Sequence, residues 1–114
     1  MGVTNIKTIT NRLIIPVTVR NGENTQQLFT VAQGDGWNGD LWVPWVFGGY
    51  TMWKSIQLDM GRKLYIFQNG NAIYYVWDSN DSKQFDHRAK LGGNNRVNGE
   101  VGVVIDTPGS VYLD

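Results

Sequence analysis

The side chains in this chain that could do chemistry are few, and most stand beside tryptophan. There is one histidine, His87, and no cysteine. A Ser-His-Asp relay would have to pass through His87, and no Gly-x-Ser-x-Gly elbow accompanies it. One histidine cannot build a His-based zinc triad, and without cysteine there is neither a thiolate nor a disulfide. The acids placed in loops, Glu23, Asp35, Asp40, Asp78 and Asp86, could in principle pair for glycosidic cleavage. Nothing in their spacing sets two of them at the separation such a pair needs. Glu23 reads as a hairpin-turn residue and Glu100 as the start of a strand. Asp78-Ser79-Asn80-Asp81-Ser82 has the opening of a calcium loop, but Lys83 stands where glycine is needed and Ala89 where the closing glutamate belongs. Asp35, Asn38 and Asp40 could also offer oxygens to calcium, although acidic loop residues more often simply form turns. Gly34-Asp35-Gly36 lacks the third glycine of a dinucleotide fingerprint. These residues predict a non-catalytic protein with no cofactor, calcium not being favoured.

Binding is better served. The stretch Trp37–Trp53, WNGDLWVPWVFGGYTMW, carries six aromatics in seventeen residues and four of the five tryptophans of the chain. A two-layer domain this small has limited room for six rings from one short segment, so some are expected at the surface, as a binding platform or a subunit interface. A sugar brings a flat C–H face and a rim of hydroxyls. It asks for an exposed ring to stack on and for short polar side chains to meet the rim. Asp35, Trp37, Asn38, Asp40 and Trp42 supply that mixture almost consecutively. A second set, Trp77, Asp78, Asn80 and Asp81, is followed by His87, Arg88, Asn94 and Asn95. The first expectation is therefore glycan recognition through aromatic, Asp and Asn loops. Trp45, Phe47, Tyr50 and Trp53 are the expected interface of a homo-oligomer.

Ten basic residues balance ten acidic ones. That excludes a broad electrostatic footprint for nucleic acid, and the basic residues are not interleaved with the aromatics as single-strand binding requires. Near-zero net charge permits self-association. Tryptophan and tyrosine also favour the lipid headgroup boundary, so membrane contact or a pore-forming module is the alternative, weakened by the absence of a basic patch or amphipathic helix. No signal peptide or transmembrane run is visible, which reads as cytoplasmic or leaderless-secreted.

The elements that must position these residues are strands. With 114 residues the chain predicts a single domain, 1–114. Its apolar residues come in short runs divided by Gly, Asn, Asp and Pro. The clearest unit is LYIFQ–NG–NAIYYVW, two β-rich runs around Asn69-Gly70. Arg12–Arg20, Thr25–Gln33, Leu41–Phe47, Met52–Met60, Glu100–Asp106 and Val111–Leu113 read as further strands, and Val3–Thr10 as a weakly alternating one. Pro16 suggests an edge or a bulge. Gly34–Asp40 reads as a loop, and Asn80–Asn98 as one short helix or a long loop. The expected core is Val17, Val19, Leu28, Val31, Ile56, Leu58, Leu64, Ile66, Ile73, Val101, Val103 and Ile105. The fold class is all-β: a single antiparallel sandwich of about eight or nine strands, with a small closed barrel as alternative. In composition, a small cysteine-free β protein with tryptophan-rich loops is similar in kind to small bacterial and fungal lectins and cytolysins. That similarity transfers no individual residue.

Overall fold

The computed structural model describes residues 3–78 and 84–114. Two sheets face each other. The first is built from β1 (Thr4–Asn11), β4 (Gly36–Trp42), β9 (Gly92–Gly93), β10 (Gly99–Thr107) and β11 (Ser110–Leu113), in the order β4-β1-β10-β11-β9. The second contains β2 (Val17–Asn21), β3 (Leu28–Val31), β5 (Ile56–Asp59), β6 (Lys63–Asn69), β7 (Ala72–Trp77) and β8 (Ala89–Lys90), in the order β3-β2-β5-β6-β7-β8. The chain is an all-β sandwich. Most neighbours are antiparallel, as expected, but β1–β10 and β11–β9 run parallel.

The core lies between the sheets, where inward-facing positions of both bury their apolar side chains. Every expected core residue is buried except Leu28, which faces outward while Phe29 takes the inward position. In β1, Ile6 and Ile9 are both buried although three residues apart. A bulge between Ile6 and Thr8 makes this fit, and it explains why the sequence alternates only weakly here. The chain leaves β1 for the other sheet at Asn11. The buried Asn11 amide donates to the Ile15 and Val31 carbonyls and its Oδ1 accepts from the Leu13 N–H. Pro16 falls just before β2, an interior strand, so it marks neither an edge nor a bulge.

A second, smaller core sits on the outside of the β6–β7 hairpin. Phe67 and Val76 point away from the main core and are covered by Val46, with Met52, Tyr65, Tyr74 and Phe85 around them. Two 3-10 turns, Gly49–Lys54 and Gln84–His87, help to form this cover. The expected strand Leu41–Phe47 therefore ends at Trp42, and the expected strand Met52–Met60 begins only at Ile56. Residues 44–46 lie along β6 beyond the end of β5, with Gln68 N–H donating to the Pro44 carbonyl and Val46 N–H to that of Gln68. Leu41–Phe47 is apolar on both sides because Leu41 and Val43 join the main core and Val46 the outer one.

Candidate binding surfaces

The expected loop Gly34–Asp40 is mostly strand, because β1 offers it a ladder along Thr8, Ile9 and Thr10. Alternation then splits the DGWNGDLW cluster. Trp37 points between the sheets, while Asn38, Asp40 and Trp42 share the outer face. Trp37 stacks on Phe29 of the opposite sheet, with ring centroids 4.5 Å apart and 15° between planes. Its ring also lies across Gly39, where a Cβ would stand 2.5 Å from Trp37 Cζ2. Trp37 thus closes the β3/β4 edge of the sandwich. Gln27 adds a stitch, donating from Nε2 to the Asp40 carbonyl at 2.6 Å.

On the outer face Trp42 pairs with Asn5 and Asn38 with Thr8. Asp40 Oδ1 accepts from Lys7 Nζ at 2.6 Å and from Asn5 Nδ2 at 2.8 Å. The Lys7 hydrogen bond first, then that of Asn5, hold the Asp40 carboxyl below its ordinary value, and the same contact raises the Lys7 ammonium. Asn5 Oδ1 accepts from the Leu41 N–H, so the amide ties the two strands beside the bulge. Asp35 is exposed at the start of the strand, its Oδ1 accepting from the Gly36 N–H.

The second expected set lies at the opposite edge. Trp77 and Tyr75, two residues apart in β7, point inward, half-buried against the core. They line a cleft of about 320 Å³ with Leu64, Leu91, Val111, Lys90 and Ser110, closed by Gly92, Gly109 and Tyr112. The Arg62 guanidinium sits 4.1 Å from the Trp77 ring centre and supports the indole. The cleft is open because β9 consists of two glycines and β8 of two residues, so no large side chain fills the edge. Gly93 must be glycine: its φ is +82° and a Cβ would collide with the Leu113 carbonyl. Gly109 has free space where a Cβ would stand, and a Cβ at Gly92 would meet only Tyr112 Cβ at 4.0 Å, an ordinary contact.

Of the other expected ligand residues, Asp78 follows β7 on the surface and accepts a long contact from the Tyr65 hydroxyl at 3.5 Å. Arg88 is committed to holding the 3-10 turn, its guanidinium 4.2 Å from the Phe85 ring centre and Nη1 donating to the Phe85 carbonyl. His87 is exposed at the end of that turn, and Asn94 is exposed after β9. Asn95 clamps the edge, its Nδ2 donating to the Ile73 and Leu91 carbonyls and its Oδ1 accepting from the Ile73 N–H. Asn80 and Asp81 lie outside the described residues. The structure therefore keeps Asn38, Asp40 and Trp42 together, isolates Trp37, and gives Trp77 new neighbours. Tyr75 could have been found from its i, i+2 relation to Trp77; Lys90 and Ser110 reach the cleft only through long-range pairing.

The four other aromatics of the central stretch divide differently. Trp45 is half-buried and stacks on Phe47, ring centroids 5.9 Å apart. Phe47, Tyr50 and Trp53 are 52%, 77% and 64% exposed, and Trp42 on the outer face 53%. The expected surplus of rings at the surface is present.

Among the described residues no three His, Asp or Glu side chains gather as metal ligands, and no helix is long and apolar enough to cross a membrane. No family model, curated protein or solved structure matches the chain.

Proposed function

We propose that this protein binds glycans without catalysis, and that the cleft at the β8/β9 edge holds the sugar. The observation that carries this reading is the pairing of Tyr75 and Trp77 along a concave site of about 320 Å³. That volume is at the small end for ligand clefts, roughly 300–1,000 Å³, and suits a single small ring system. The two rings offer apolar surface to a pyranose C–H face. Ser110 borders the cleft, makes no side-chain hydrogen bond within the described residues and can meet a hydroxyl. The Asn38–Asp40–Trp42 strip is a weaker candidate, because it is a flat strand face and Asp40 Oδ1 is already occupied.

A glycan array followed by titration calorimetry on the best sugar tests the reading. Ser110→Ala is expected to weaken binding about fivefold, the worth of one ordinary hydrogen bond of about 1 kcal/mol. Gly109→Phe places a ring in free space beside the cleft and is expected to abolish binding while the fold is kept. Absence of retention on the whole array, or undiminished binding by Gly109→Phe, overturns the proposal.

A further inference from the structure

The turn that follows β4 has properties that sugar recognition does not use. Between residues 41 and 54 there is no Asp, Glu, Asn, Gln or His; the polar side-chain groups are the Tyr50 and Thr51 hydroxyls, the Lys54 ammonium and the indole N–H of Trp42, Trp45 and Trp53. Thr51 is already engaged: its Oγ1 accepts from the Phe47 N–H at 2.9 Å and donates to the Gly48 carbonyl at 3.1 Å. Sugar hydroxyls would find donors but almost no side-chain acceptors on this surface. Part of the backbone is bonded internally as well. Thr51 N–H donates to the Gly48 carbonyl, Val46 N–H to that of Gln68, and Asn69 Nδ2 to that of Val46. Each such bond leaves one donor and one acceptor fewer to be stranded when this surface leaves bulk water.

The rings are also firmly mounted. Val46 is fully buried against Phe67 and Val76, and Met52 packs beside them. Gly22 backs the turn so closely that a Cβ there would collide with the Trp53 carbonyl. From this base Phe47, Tyr50 and Trp53 project while more than half exposed.

We infer that Phe47, Tyr50 and Trp53 dock this protein on the headgroup layer of a phosphatidylcholine bilayer. Three observations favour lipid over a second copy of the chain. An aromatic side chain carries roughly 150–250 Å², so three rings at this exposure present on the order of 400 Å². A stable protein interface needs about 800 Å² per partner. Tryptophan and tyrosine, with an apolar body and a polar edge, are the residues that settle at the headgroup boundary. The Lys54 ammonium lies 5.6 Å from the Trp53 ring centre and sets a cation beside the patch that can pair with the lipid phosphate, which leaves Phe47 and Tyr50 as the rings open to choline. Choline is a cation of the kind that aromatic faces recognise, and no carboxylate stands in the segment to repel the lipid phosphate. The inference is independent of the glycan reading, since none of these residues lines the β8/β9 cleft.

The test uses the whole chain and sonicated phosphatidylcholine vesicles, some carrying brominated acyl chains. Co-sedimentation is expected, with tryptophan emission shifted to the blue and quenched by the brominated lipid. Tyr50→Ala combined with Trp53→Ala is expected to weaken partition at least tenfold while far-ultraviolet circular dichroism is unchanged. Tyr50→Ala alone, at the most exposed ring, gives a smaller loss and leaves little for the fold to miss. No sedimentation at millimolar lipid overturns the inference, as does binding that the double variant does not weaken. A lipid-free dimer that Trp53→Ala dissolves would assign the same rings to a second copy and overturn it too.

Discussion

The two open edges of this sandwich invite comparison, because each receives an inward-pointing tryptophan and the outcomes differ. At the β3/β4 edge, strands of four and seven residues bring Phe29 and Trp37 face to face, and Gly39 lets the indole lie flat. That edge is closed. At the β8/β9 edge each strand has two residues, one of them Gly92-Gly93, and Trp77 is met by the Arg62 guanidinium instead of a second ring. A cleft remains. The difference lies in what the opposite strand can offer. A tryptophan met by a second ring becomes core, and one without that ring becomes the wall of a site.

Substitutions can break this contrast. The largest expected effect is Trp37→Ala, which removes the Phe29 stack and part of the core; about 2–4 kcal/mol should be lost, measured by urea unfolding. Gly39→Val drives a side chain into the same indole and should cost about 1–3 kcal/mol, with Trp37 near-ultraviolet dichroism altered. Trp77→Ala is expected to cost less, about 1–2 kcal/mol, because the ring borders an open cleft, yet it should remove sugar binding; equal losses at the two tryptophans would end the distinction. Gly92→Val should leave the unfolding free energy within about 0.5 kcal/mol and lower sugar affinity by narrowing the cleft. The smallest effect belongs to the closed edge's outer face. Asp40 has a lowered pKa, so its ionised form is favoured in the fold. Its contribution is complete above the ordinary value of 3.8 and is lost as pH falls through the folded value. The urea midpoints of wild type and Asp40→Asn should therefore differ slightly at pH 7 and converge as pH falls below the folded value of Asp40.

Much of the second sheet was legible. The β6–β7 hairpin falls where the sequence placed it, with Gly70 at a φ of +60° in its turn. Val17, Val19, Ile56 and Leu58 are buried as period-two alternation requires. The first sheet was harder. The bulge in β1 breaks the alternation that pattern reading relies on. β4 is written in glycine, asparagine and aspartate, and is a strand because β1 lies beside it. Residues 43–47 mislead because two different cores claim their apolar side chains. For the site, the surplus of surface aromatics was legible from crowding. Which rings formed the surplus was not, since that depends on pairings distant in sequence.

The parallel ladder between β1 and β10 has a consequence for how the molecule comes to exist. Thr4 is matched with Gly99 and Asn11 with Ile105, so the central seam of the first sheet joins strands made at opposite times in synthesis. Closing so long a loop costs entropy before any ladder bond is returned. On the ribosome, β1 must wait without its central neighbour until β10 emerges, whereas the β6–β7 hairpin can zip immediately. Refolding should be slow for a protein of this size, with the hairpin sheet protected from hydrogen exchange before Ile6 and Ile9.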